Sequence, residues 1–218
     1  MANGSRIPEE DLRRVAAAQC RFLGAVSGLA DEDVRRPSAL PGWTIAHVLT
    51  HVARNADSHR RRAEAAVRGE VVDQYPGGYE GRAAEIEAGA VRGVNELIED
   101  VRASADLMDA AWRRVPEAAW VHVTRDVAGT ERPLSVLPSR RWQELEVHLI
   151  DLGIGPTHRD WSEDFVAAWL PALRKTLRAR LPEGAQPPGR NVLDGREELA
   201  WLYGRFHRAD LPELRPWG

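Results

Sequence analysis

The chain has 218 residues, 43% hydrophobic and 29% charged, a size and balance that suit a soluble globule of one substantial domain with room for a small appendage. Its formal net charge of −3 and its scattered basic residues, almost all arginine, argue against a nucleic-acid partner, and no run of 18 apolar residues could span a membrane. The opening MANGSRIPEEDL lacks an apolar export segment and a lone Cys20 excludes an internal disulfide, so a cytoplasmic protein engaging neither membrane nor nucleic acid is expected.

Residues 7–29 read as a first helix, with Pro8 at an N1-like position, acids in the first turn and apolar residues at helical spacing. The stripe Leu12, Ala16, Cys20, Leu23 would bury Cys20 as an inert core thiol. A Pro/Gly connection over 31–42 leads to Thr44, a good N-cap for a second helix reaching about residue 69, with Val48, Leu49 and Val52 on its buried side. The basic run from His59 to Arg62 on this helix reads as a solvated face. VVDQYPGGY is a turn-rich loop. A third helix is expected from about residue 80 through residue 115, kinked near Gly89 or Gly93.

Within 118–130 the stretch AWVHVTRDV alternates as an extended segment does. A fourth helix over 133–155 ends on Gly153 and Gly155. Four long amphipathic helices predict a mainly α four-helix bundle, and with no large exposed apolar stripe the default assembly is a monomer. A helix over 163–181, a Pro/Gly-rich break (EGAQPPG) and a short helix over 196–206 form a further region. The expected division is a bundle domain over 1–157 and a small C-terminal domain over 158–218.

Two of the helices carry chemistry. PGWTIAHVLTHVARN offers His47 and His51, and RWQELEVHLIDLG offers Glu144 and His148, each pair spaced i, i+4 and so on one helix face. Facing one another, such helices close three N/O ligands around a divalent metal and leave a coordination position open for chemistry. The alternative is that each histidine is individually satisfied in the core and Glu144 pairs with an arginine. The set as a whole favours the metal, since an unpaired carboxylate and imidazole are costly to bury in a bundle. Spacing leaves open whether His47 or His51 is the ligand. Asn55 continues the His51 face one turn further on. Arg82 and Arg205 are candidates for gripping an anion, a guanidinium being a bidentate partner for carboxylates.

The segments GWT..HVLTHVARNADS, R..EIE.GA and RWQELEVHLIDLG, in this order, resemble the mycothiol-dependent maleylpyruvate isomerase family of the DinB-like superfamily, with weaker similarity in AWLYGR and the terminal LPELRPWG. The resemblance implies a DinB-like four-helix bundle followed by a small α/β region, here shortened where EGAQPPGRNVLDG stands. It places the metal ligands on His51, Glu144 and His148, leaving His47 and Asn55 as supporting residues on the cofactor side. Arg82 and Arg205 become the catalytic arginines.

Implied with the family are Zn²⁺ or another divalent metal and mycothiol as thiol cosubstrate, which suits a chain whose only cysteine is read as buried. Mycothiol's thiolate would add to the cis double bond of maleylpyruvate, the resulting single bond would rotate, and elimination would give fumarylpyruvate. A mycothiol S-transferase acting on a small-molecule electrophile shares the first half of this chemistry. A non-catalytic metal-binding bundle is the third reading, which three ligands rather than four make weaker.

Overall fold

The computed structural model describes residues 7–189 and 192–215. A first compact unit ends at Leu152 and a second begins at Gly153.

The first unit is a four-helix bundle of α1 (Glu9–Val26), α3 (Ile45–Val67), α5 (Val94–Arg113) and α6 (Leu137–Asp151). Helix α3 packs on α5 and α6, and α1 on α6 and α5, so each helix has two neighbours. The inward faces are regular: Val15, Ala18, Phe22 and Val26 on α1, Val48, Leu49, Val52 and Ala56 on α3, and Leu97, Val101, Ala105 and Met108 on α5. Against the sequence expectation, Cys20 is exposed. The buried stripe of α1 runs one residue earlier, through Gln19, whose Oε1 accepts from the buried Arg141 of α6 at 3.1 Å. A polar residue thus holds the inward register and turns the thiol out.

The His59 to Arg62 run also departs from expectation. His59 and Arg62 are buried, His59 edge-on to Trp112 with ring centroids 5.7 Å apart. At 3.6 residues per turn, a 23-residue helix in the centre of a bundle carries its inward face through a basic segment that composition alone reads as solvated.

The expected third helix is two. Helix α4 (Gly78–Gly89) lies against α3, and only α5 joins the bundle. Gly89 lets α4 approach Thr50, for a Cβ there would fall 2.3 Å from Thr50 Cγ2. The short α2 (Asp31–Val34) and the residue after it secure the break from both sides. Arg35 donates to the carbonyls of Ala90, Val91 and Arg92 at the end of α4, and Asp31 accepts from the Val94 N–H that opens α5.

Between α5 and α6 the alternating segment forms a 3₁₀ turn (Glu117–Val121) and then β1 (Val123–Arg125), paired antiparallel with β2 (Glu131–Pro133). Helix α6 stops at Gly153, whose φ of 67° suits glycine at a helix end.

The second unit contains α7 (Glu163–Arg180) and α8 (Gly195–Leu202). Ser162 caps α7 and Asp194 caps α8 through side-chain acceptors. Where the resemblance implies a small α/β arrangement, the described residues form helices and turns, and the two strands belong to the first unit. Helix α8 is shorter than the expected 196–206. Residues 190–191 of EGAQPPGRNVLDG and 216–218 of LPELRPWG lie outside the described residues.

Candidate metal centre

Helices α3 and α6 bring His51, Glu144 and His148 together. His51 Nε2 is 3.1 Å from Glu144 Oε2 and 3.0 Å from His148 Nε2, and His148 Nε2 is 3.2 Å from Glu144 Oε2. A tetrahedral site with bonds near 2.1 Å has ligand atoms about 3.4 Å apart, so this triangle needs little adjustment to close on an ion. The side chains of His51, His148 and Glu144 are 4%, 13% and 28% exposed, so the triangle is backed by the bundle and faces solvent through its carboxylate edge. A metal held here keeps an open side, as catalytic rather than structural sites do. Two imidazoles and a carboxylate suit a borderline divalent ion.

Burial and mutual contacts set the protonation of the three groups. Burial pushes the His51 ring down to about 4, so it is neutral at pH 7. Burial also opposes ionisation of Glu144, but hydrogen bonds and charge from His148 and His51 outweigh it and hold the carboxyl well below its ordinary range. His148 also resists charging through burial, yet Asp151 and Glu144 raise it to about 9. The fully buried Asp151 accepts from His148 Nδ1 at 2.9 Å. That bond holds one proton on Nδ1; the second, kept on Nε2 at pH 7 by the raised value, must leave before Nε2 can ligate an ion, and the Asp151 contact then orients the ring as in metal-binding histidines. An H-x-x-D spacing within one helix is the signal that could have revealed Asp151.

The rim comes from two loops. The connection before α3 is tied to the end of α6 by Ala39 N–H donating to Asp151 O, and it closes on itself as Ser38 N–H donates to Trp43 O. This sets the Trp43 ring 5.7 Å from the His51 ring. Arg82, in the first turns of α4, places Nη2 3.2 Å from His51 Nδ1, with its guanidinium carbon 5.8 Å from the Trp43 and Tyr75 ring centroids. Neither aromatic was marked by sequence reasoning. Tyr75 precedes Pro-Gly-Gly and Trp43 follows Pro-Gly, contexts that read as turns and conceal a site role.

Residues 15–153 match the family model described as the mycothiol maleylpyruvate isomerase N-terminal domain. The chain belongs to this family. Two solved structures share its fold. One is the crystal structure of the mycothiol-dependent maleylpyruvate isomerase, with a TM-score of 0.83 and 23% identity over 96% of this chain and 97% of that one. The other, of a histidine-to-alanine mutant described by the same words, has a TM-score of 0.82 at the same identity and coverage. No curated protein sequence matches the chain.

The remaining expected residues of this maleylpyruvate isomerase family member are arranged as follows. His47 lies beside the triangle, outside the three converging donors. Its Nδ1 accepts from Thr44 N–H at 3.2 Å, its Nε2 is 3.4 Å from Glu87 Oε2, and its ring stacks on Trp43. Asn55 is buried, its Oδ1 accepting from Arg141 Nη1 at 2.9 Å. Arg205 belongs to the second unit. It follows α8 instead of closing it, past the left-handed Gly204, and its Nη1 donates to Tyr203 O at 2.7 Å. Among the described residues no helix is long and apolar enough to cross a membrane.

Proposed function

We propose that this chain is a metal- and mycothiol-dependent isomerase converting maleylpyruvate to fumarylpyruvate in the cytoplasm. The convergence of His51 Nε2, Glu144 Oε2 and His148 Nε2 with one side open, in a chain of this family, carries the reading. These three residues would hold a divalent ion, zinc being the best fit. When bound, such an ion supplies the positive charge that keeps a thiol deprotonated near neutral pH.

The chain's own groups then have defined tasks. Asp151 fixes the His148 ring and its proton. Glu144 contributes a permanent negative charge and His51 a neutral nitrogen. Arg82 stands beside His51, at its Nδ1, with donors whose planar spacing fits a carboxylate or the oxygen of an enolate. We assign Arg205 to a second substrate carboxylate, on the strength of its motif.

In the reaction the thiolate of mycothiol forms a carbon–sulfur bond at the cis double bond, and the displaced electron pair becomes an enolate stabilised by Arg82. Rotation about the new single bond follows. Collapse of the enolate breaks the carbon–sulfur bond and restores the double bond in the trans form. Nothing is oxidised or reduced and the thiol returns unchanged.

The test is to incubate metal-loaded protein with maleylpyruvate and a small amount of mycothiol while following fumarylpyruvate and free thiol together. Many turnovers at constant thiol are expected. Thiol consumed into a lasting adduct would identify an S-transferase, and no change in either would leave a non-catalytic bundle.

A further inference from the structure

Arg141 is fully buried in α6, and each oxygen that accepts from its guanidinium is neutral. Nη1 donates to Val52 O at 2.8 Å and to Asn55 Oδ1 at 2.9 Å, both on α3. Nη2 donates to Gln19 Oε1 on α1 at 3.1 Å. One planar group thus joins three helices of the bundle. For stability alone this is a poor arrangement. Arg141 Nε and Gln19 Nε2 are buried without a hydrogen-bond partner, and a charge is costly to bury where no opposite charge binds it.

The position of Arg141 along the helices gives the arrangement a purpose. Residues 141, 144 and 148 are spaced i, i+3, i+7, so Arg141 shares a face of α6 with Glu144 and His148. On α3 the carbonyl it binds belongs to Val52, the neighbour of His51. A second tie joins the same elements beyond the triangle, where Ala39 N–H, ahead of α3, donates to Asp151 O at 2.8 Å. Residue 39 thus pairs with 151, and residues 52 and 55 with 141, so α3 and α6 run antiparallel here. The three converging donors lie between the two ties. Such a constellation works only when its groups are held within about 0.5 Å. A rigid guanidinium fork, held at both Nη atoms, fixes separation and register together; a lysine ammonium on its flexible stem keeps the charge and loses that fork.

We propose that Arg141 is a positioning residue of the metal centre, fixing the register of α6 on α3 so that Glu144 and His148 meet His51. This role rests on the reading of the triangle as a metal site.

The test is the zinc affinity of the full-length protein, by competition against a chelator, for wild type, Arg141→Lys and Gln19→Ala. The visible spectrum of bound Co²⁺ is a second readout. Arg141→Lys should bind zinc about tenfold more weakly, the scale of loss when groups that orient ligands are changed, and should shift the Co²⁺ band. Gln19→Ala removes only the α1 arm, where no ligand stands. It should lower Tm yet leave zinc affinity within about twofold and the Co²⁺ band in place. Affinity losses that simply follow Tm in both variants would make Arg141 a packing residue and overturn the proposal. Unchanged affinity in Arg141→Lys overturns it too. If Arg141→Lys loses its helix content, Asn55→Ala decides instead: it removes one α3 arm and should weaken zinc binding more than Gln19→Ala does, and equal affinities overturn the proposal. Wild type that takes up neither zinc nor Co²⁺ refutes the metal reading and the proposal with it. Tight binding in wild type with no difference among the variants refutes the proposal alone.

Discussion

Glu144 lies between two imidazoles and His148 between two carboxylates, and this alternation decides which proton each group holds. Removing the outermost member tests that. Asp151→Asn should weaken metal binding about 10- to 100-fold, the usual loss when the partner of a ligating histidine is changed, with helix content intact. Competition against a chelator measures it, and unchanged affinity would remove Asp151 from the site. Buried groups away from the triangle set the acid limit of stability. Burial, with the Arg62 and Arg141 charges, holds His59 well below its ordinary 6.5. The unfolded chain takes up a proton at His59 near 6.5 while the folded chain does not, so stability falls as pH drops below 6.5. The burial that holds His51 to about 4 acts in the same direction. Thermal melts of metal-free protein between pH 7 and pH 4 should show this decline, and a shallower one in His59→Leu. At this scale the triangle was legible because i, i+4 spacing is a local signal. Cys20 and the His59 to Arg62 run were misread because the buried register of α1 and α3 is set by tertiary polar contacts, Gln19 with Arg141 among them.

The bundle helices were readable from their period, but the break between α4 and α5 was not. The sequence shows only two glycines in a helical pattern. Their meaning comes from Thr50 on α3 and from Arg35 and Asp31 reaching in from a segment some sixty residues earlier. Arg35→Ala should cost about 1–2 kcal/mol through the three carbonyls it leaves, and raise amide exchange over 90–94 well above that elsewhere in α5. Exchange unchanged in that segment would show that the glycines alone make the break. At the other end of α4, Gly81→Ala forces a backbone shift against Pro76 and should destabilise by about 1–3 kcal/mol. It should also impair turnover beyond what its stability loss explains, because the same turn carries both Tyr75 and Arg82.

For the whole molecule, the fold class was legible because four amphipathic stretches of bundle length have few other ways to bury their faces. The C-terminal region was less so: Pro/Gly-rich sequence marks a break without saying what flanks it, and the expected boundary at 157/158 stands beside compact units that part at Leu152 and Gly153. Joining α3 to α6 through a metal should stabilise the folded state. Metal at 100 times its Kd contributes about 2.7 kcal/mol, which for a domain of this size is a rise in Tm of roughly 5–10 °C, reversed by a chelator.

The most direct test of the account is the metal content of the purified protein, measured by elemental analysis for wild type, His51→Ala and Glu144→Ala. About one divalent ion per wild-type chain and little in either variant, with all three still helical, is the predicted result. Wild type carrying no metal after purification without chelators, and taking none up when zinc is supplied, would contradict it. The three residues would then be a buried polar cluster and the thiol chemistry would need another origin.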